Sequence, residues 1–183
     1  ILLVEDTKTA YLQIAEYYRK KVNPITVLIT GSSGKTTVKE MMSATTSVKF
    51  RTHKTKLNHN NEIGLCQTLL SMPEDTQVLI AEGGMRGLGE IELLSKHTQP
   101  DRAVITNVGT AHIGRLGSVE NIAKAKCEIV KYLKKDGVLI APDSPLIKQF
   151  NTFAGKNSYV NFDDVKVLKA DVDGSEFVYK DNT

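Results

Sequence analysis

The stretch ITVLITGSSGKTT, residues 25–37, constrains the fold more than any other part of the chain. Five of its first six residues are β-branched and the other is Leu28, which predicts a buried strand. Gly31, Ser32, Ser33 and Gly34 then make a turn without bulky side chains. Lys35, Thr36 and Thr37 open a segment with helical periodicity through Val38, Met41, Met42 and Thr45. A small-residue loop between strand and helix leaves backbone N–H groups at the positive end of the helix dipole, which is an anion cradle. In such a loop Lys35 reaches terminal phosphates and the Thr36 hydroxyl completes a magnesium shell, the division of labour of a Walker A loop. The spacing here is TGxxGKT, two residues shorter than the general pattern, which would need a glycine at Ile29.

Strand and helix patterns alternate through the chain. Thr7 to Lys21 carries Ala10, Tyr11, Ile14, Tyr17 and Tyr18 at helical spacing and closes at Asn23-Pro24. Val48 to Arg51 reads as a short strand. Asn58 to Asn61 is a polar loop whose Asn61 caps a helix with Ile63, Cys66, Leu69 and Leu70 inside. Gln77 to Ala81 is a buried strand ending at Glu82, Gly83 and Gly84, and Gly89 to His97 a helix with Ile91 and Leu94 inside. Ala103 to Thr106 is a third strand, followed by Asn107 and a loop to His112. Ser118 to Leu133 is a helix, Val138 to Ala141 a strand, and Val165 to Val172 with Glu176 to Lys180 a hairpin around Asp173-Gly174. This rhythm predicts an α/β fold: a mostly parallel sheet with helices on both faces and a C-terminal β-hairpin appendage.

Loops after the C-terminal ends of parallel strands share one edge, where ligands bind. The order of elements therefore gathers Lys35, Thr36, Glu82 and His112. Glu82, beside two glycines, reads either as a strand-end carboxylate facing water or as a magnesium ligand beside a triphosphate. His53, His59 and His97 read as polar surface. At about 100° per residue, Val119, Ile122, Ala123, Ile129, Val130 and Leu133 fall on one arc, with Lys126 near its centre. A lysine there must snorkel, pair with a buried carboxylate, or lose its charge, which would free the amine for chemistry such as reaction with carbon dioxide.

The segments ITGSSGKTTVKEMM, LNHNNEIGLCQTLL, GMRGLGEIELL and AVITNVGTAHIGRLGSVENIAKAKCEI resemble the central ATPase domain of the muramyl ligases, ATP-dependent amide ligases of peptidoglycan synthesis. The Asn-Asn-Glu-Ile-Gly run and Gly89-Glu90-Ile91 favour the members that add D-alanyl-D-alanine to UDP-N-acetylmuramoyl-tripeptide through an acyl phosphate. The resemblance implies a P-loop-type ATP site made of Gly31, Ser32, Ser33, Gly34, Lys35, Thr36, Thr37 and Asn107. It implies Mg2+ on Thr36, Glu82, His112 and Lys126, with Lys126 carbamylated, and substrate contacts from Asn60 and Asn61. Lys35, Glu82, His112 and Lys126 would carry the catalysis. Residues 1–24 are read as the end of an N-terminal domain or linker helix and 25–183 as the ATP-binding domain. The UDP-binding and C-terminal ligase domains are not in the sequence, so the chain alone is expected to bind ATP weakly and not to ligate. A related ligase adding another amino acid, or a nucleotide-binding subunit without ligase activity, stays open.

Composition excludes other classes. The chain has 183 residues, a formal net charge of +3 and 6% aromatics, and the basic clusters 49–56 and 124–135 are not interleaved with rings, so nucleic acid is not expected. No Asn-Lys-x-Asp base-reading motif suggests a GTPase. No apolar run approaches the roughly 20 residues of a membrane span, and Cys66 and Cys127 lack metal spacing. These features lead to the expectation of a cytoplasmic monomer.

Overall fold

A computed structural model describes residues 1, 3–171 and 174–179. The order is α1 (Thr7–Val22), β1 (Ile25–Thr30), α2 (Lys35–Ser47), β2 (Thr52–Lys54), α3 (Glu62–Leu70), β3 (Val78–Glu82), α4 (Glu90–Thr98), β4 (Arg102–Ile105), α5 (Ile113–Leu116), α6 (Val119–Cys127), β5 (Val138–Pro142), α7 (Pro145–Phe150), β6 (Lys156–Val160), β7 (Val165–Asp171) and β8 (Gly174–Tyr179). The first six strands form one sheet in the order β2-β3-β1-β4-β5-β6, with every pair parallel. The chain moves outward from β1 to one side and then returns to lay β4 on the other. The crevice at the C-terminal end of β1 is therefore the topological switch point.

Alternation along the strands separates two apolar layers. Leu28, Leu79, Ala81, Ala103, Ile105, Leu139 and Ala141 face the larger one, filled by α1, α3, α4, α6 and α7. Val27, Ile29, Val78, Ile80 and Val104 face the smaller one, where α2 contributes only Val38 and Met42. Both faces carry helices, unequally. β7 and β8 pair antiparallel as a separate two-stranded sheet. The expected hairpin forms, while Val172, Asp173 and Lys180 lie outside the described residues.

Several local expectations change. On α1 the inward face is Tyr11, Leu12, Ala15, Tyr18 and Val22, whereas Ile14 and Tyr17 are 52% and 72% exposed. The stripe is rotated because Arg19 is buried, where its Nη2 donates to Gln99 Oε1 at 2.8 Å. On α2, Met41 and Thr45 are exposed and the buried residues are Lys39 and Ser43. Val48 to Phe50 is the turn that ends α2, so the strand expected at 48–51 starts at Thr52 instead. Ile63 is exposed at the start of α3. The helix expected over 118–133 stops at Cys127 and tightens into a 3₁₀ turn, Glu128–Val130. His97 is buried, its Nδ1 lying 2.8 Å from Glu16 Oε2 on α1. His53 is half-buried on β2, and burial lowers its pKa. α7 and β6 were not foreseen.

Candidate active site

β1 ends at Thr30, and Gly31 begins the turn with φ 156°. A Cβ at Gly31 would fall 1.8 Å from Thr106 Oγ1, so the loop packs on the end of β4 only as glycine. Asn107 braces it: its Oδ1 accepts from the backbone N–H groups of Ser32 and Ser33, each at 3.1 Å, and its Nδ2 donates to Ser33 Oγ at 2.8 Å. Thr106 Oγ1 donates to the Ser33 carbonyl, and Ser32 Oγ accepts from Gly109 N–H. The loops after β1 and β4 are thus stitched together. Gly34, at φ 75°, turns the chain into α2, whose first turn presents N–H groups without intrahelical acceptors. Lys35 Nζ donates back to the Gly31 carbonyl at 2.9 Å, and Thr37 is exposed.

Glu82 occupies the last position of β3 and is 4% exposed, so the water-facing reading fails. Its Oε2 accepts from Thr36 Oγ1 and its Oε1 from Asn60 Nδ2, both at 3.0 Å. Its backbone N–H donates to Thr55 Oγ1. The two asparagines divide. Asn61 Oδ1 accepts from Gly64 N–H at 2.8 Å and caps α3, whereas Asn60 turns to Glu82 and its carbonyl accepts from Gly84 N–H. A Cβ on Gly84 would come within 2.6 Å of Asn60 Oδ1, which accounts for the second glycine after the strand.

A cavity of about 490 Å³ opens beside this carboxylate, and its lining includes Lys35, Asn60, Asn61, His112 and Lys126. His112 is exposed with φ 68° where α5 begins. Lys126, 1% exposed, has no hydrogen bond or ion pair among the described residues. Burial, with the Lys35 charge adding to it, lowers its pKa to about 8. The ion-pair reading of Lys126 therefore fails. Of the four residues that element order gathers on one edge, Lys35 and His112 line this crevice, Glu82 lies one hydrogen bond behind it through Asn60, and Thr36 is bonded to Glu82; Lys126, singled out by its place in the apolar arc, joins the lining.

Sequence reasoning missed three members. His59 and Arg86 line the same cavity, so His59 is more than the polar surface that its sequence context predicts. Lys39 is as buried as Lys126 and lies 3.5 Å from Glu82 Oε2. The i, i+4 spacing of Lys35 and Lys39 was the available signal, since it puts both on one helix face.

Residues 29–177 match the family described as Mur ligase middle domain. The chain belongs to the Mur ligase family. Among curated Mur ligases, the UDP-N-acetylmuramoyl-tripeptide–D-alanyl-D-alanine ligase of Bacillus subtilis (strain 168) is 49% identical over 149 residues, 81% of this chain and 33% of that protein. A MurF crystal structure from Acinetobacter baumannii matches with a TM-score of 0.85 at 33% identity, over 97% of this chain and 43% of that one. MurF ligase from Thermotoga maritima, in complex with ADP, matches with a TM-score of 0.88 at 29% identity, over 99% of this chain and 44% of that one. This Mur ligase chain spans about a third of the length of the curated relatives it matches.

Proposed function

We propose that this chain is the ATP-binding central domain of a ligase that joins D-alanyl-D-alanine to UDP-N-acetylmuramoyl-tripeptide. The observation that carries the reading is one crevice holding a phosphate loop, a carboxylate bonded to the loop threonine, and an unpartnered buried lysine. The names of the relatives supply the substrate pair. Residues 25–183 make the ATP-binding unit in this reading, with α1 as the linker helix before it, working as a cytoplasmic monomer. No helix among the described residues is long and apolar enough to cross a membrane.

The donors fit Mg2+. Thr36 Oγ1 and Glu82 Oε2, 3.0 Å apart, are hard oxygen donors, and a nucleotide-borne magnesium needs one or two protein ligands beside phosphate and water. Among the described residues no three His, Cys, Asp or Glu side chains gather as in an all-protein cage, which such an ion does not need. His112 and a carbamate on Lys126 would hold a second ion. At a pKa of about 8, about one Lys126 in ten is a free amine at pH 7, against about three in ten thousand for an ordinary lysine. That amine adds to carbon dioxide and releases a proton, turning an uncompensated cation into an anion. Bound magnesium would supply positive charge against the triphosphate.

The chain's own groups do the rest. Gly31 to Gly34, the first turn of α2 and Lys35 hold the phosphates, with Asn107 keeping the loop in shape. Lys35 offsets the charge that separates a substrate carboxylate from the γ-phosphate, and Asn60 orients the acyl end. The carboxylate oxygen then bonds to the γ-phosphorus as ADP leaves. The dipeptide amine next bonds to the acyl carbon as phosphate leaves, a sequence that depends on positioning and charge more than on covalent help.

The test uses the full-length protein that contains this chain. Phosphate release should require both the tripeptide nucleotide and D-alanyl-D-alanine, and Lys126→Ala should lose ligation by at least about 100-fold while ATP affinity changes less than about threefold. ATP hydrolysis indifferent to both acceptors, or full ligation by the variant, refutes the assignment.

A further inference from the structure

Lys39 lies on α2 one turn beyond Lys35, and its ammonium sits beside the last residue of β3. Its side chain is 1% exposed. Nζ lies 3.5 Å from Glu82 Oε2, 3.5 Å from Glu40 Oε1, and donates to the Leu57 carbonyl at 3.3 Å. Glu40 is shared with Lys54 at the surface. Among the described residues Lys39 is the only cation paired with Glu82, whose other partners, Thr36 and Asn60, are neutral donors.

Two features give this lysine more than a packing role. A buried carboxylate is costly without a counter-charge, and Glu82 is held in place before any metal arrives. At 3.5 Å the ammonium is also beyond the 2.7–2.9 Å typical of a charge-assisted hydrogen bond, so it neutralises Glu82 while leaving oxygen lone pairs free. The same ammonium takes the carbonyl of Leu57, a non-glycine residue at φ 48°, where the chain turns into the Asn58 to Asn61 loop.

We propose that Lys39 is a positioning residue that serves as the resident counter-cation of Glu82, keeping the carboxylate and the Asn60 loop assembled when the nucleotide and its divalent ion are absent. The proposal rests on the reading of Glu82 as the magnesium carboxylate. It makes the metal dependence of nucleotide binding shallower than a bare carboxylate would give: Lys39 already cancels part of the repulsion between Glu82 and a triphosphate.

The experiment is ATP titration calorimetry with excess magnesium and again with EDTA, on the wild type, Lys39→Gln, Glu82→Gln and the double variant. Lys39→Gln should raise the ratio of the two affinities about tenfold, mostly by weakening binding in EDTA, and Glu82→Gln should cancel that rise. Equal losses in both conditions would mean that Lys39 only packs, and would overturn the proposal. Melting temperature in EDTA without nucleotide gives an independent reading. Lys39→Gln should lower it by several degrees in the wild-type background and by little in the Glu82→Gln background; equal lowering in both overturns the proposal. Should Lys39→Gln fail to fold, a folded double variant supports the charge account and an unfolded one refutes it. Failure of ATP to bind the wild type with magnesium would refute the nucleotide reading, while the melting comparison still decides the Lys39–Glu82 pairing.

Discussion

Lys126 and Lys39 show how two buried lysines differ in what surrounds them. Lys39 has carboxylates within 3.5 Å, whereas Lys126 has no partner among the described residues and pays for its burial in charge. A pKa near 8 in the fold against 10.5 in the unfolded chain means that unfolding takes up a proton between those values. Stability from this group therefore rises with pH across about 8 to 10.5, and the penalty is complete below about 8, at about 3 kcal/mol. Lys126→Met should thus raise the unfolding free energy of the metal-free, bicarbonate-free protein by about 1–3 kcal/mol at pH 7. The gain should shrink towards pH 10.5; urea denaturation at a series of pH values measures it, and a loss at pH 7 would contradict an unpartnered ammonium. Lys126 was legible in the sequence because it interrupts an apolar arc. Lys39 was not, because α2 has no such arc: its inward face is Lys39 and Ser43 beside two half-buried apolar residues. His97 was hidden for another reason, since Glu16, which meets it, is 81 positions away.

At the level of elements, β1, β3, β4 and β5 were legible because each is a short β-branched or apolar run, whereas the outer strands β2 and β6, polar and only half-buried, were misplaced or missed. Ends depend on tertiary contacts and were not. The helix expected to run to Leu133 breaks after Cys127, where Glu128 turns inward and accepts from the Gly89 and Glu92 N–H groups, capping α4 from outside. Gly89 has no side chain to cap with, so the acceptor comes from another element. α3 carries a similar long-range constraint. A Cβ on Gly64 would lie 2.4 Å from the His59 carbonyl, so the helix touches the backbone that leads to Asn60. Helix propensity alone favours Gly64→Ala by about 1 kcal/mol. The clash with backbone costs more, and the variant should instead lose about 1–3 kcal/mol in chemical denaturation while weakening ATP binding through Asn60. A stabilised Gly64→Ala protein with unchanged ATP affinity would show that the loop yields freely.

For the whole molecule, the alternating rhythm gave the parallel sheet and its ligand edge, but not the uneven split of helices between its faces. That split depends on which face each connection crosses. It leaves α2, the helix that carries Lys35, Thr36 and Lys39, as the main cover of the smaller layer, so the proposed nucleotide site and the packing of that face share one element. Among the described residues the hairpin β7–β8 adds no side chain to either apolar layer. It forms its own sheet, with Val167, Leu168 and Phe177 each about half exposed or more, and the crevice at the end of β1 draws no residue from it. A lone two-stranded sheet is marginal in water and adds little to a neighbour whose apolar layers it does not enter. Ending the chain at Asn161 should therefore shift the melting temperature of the remainder by less than about 2 °C, where loss of even 1 kcal/mol from a chain of this size shifts it by about 2–4 °C. ATP affinity should stay within about twofold, because α2, the end of β3 and the loop after β4 are all retained. A drop of many degrees, or a loss of nucleotide binding, would show that the hairpin braces the main sheet through contacts its exposed apolar side chains do not reveal.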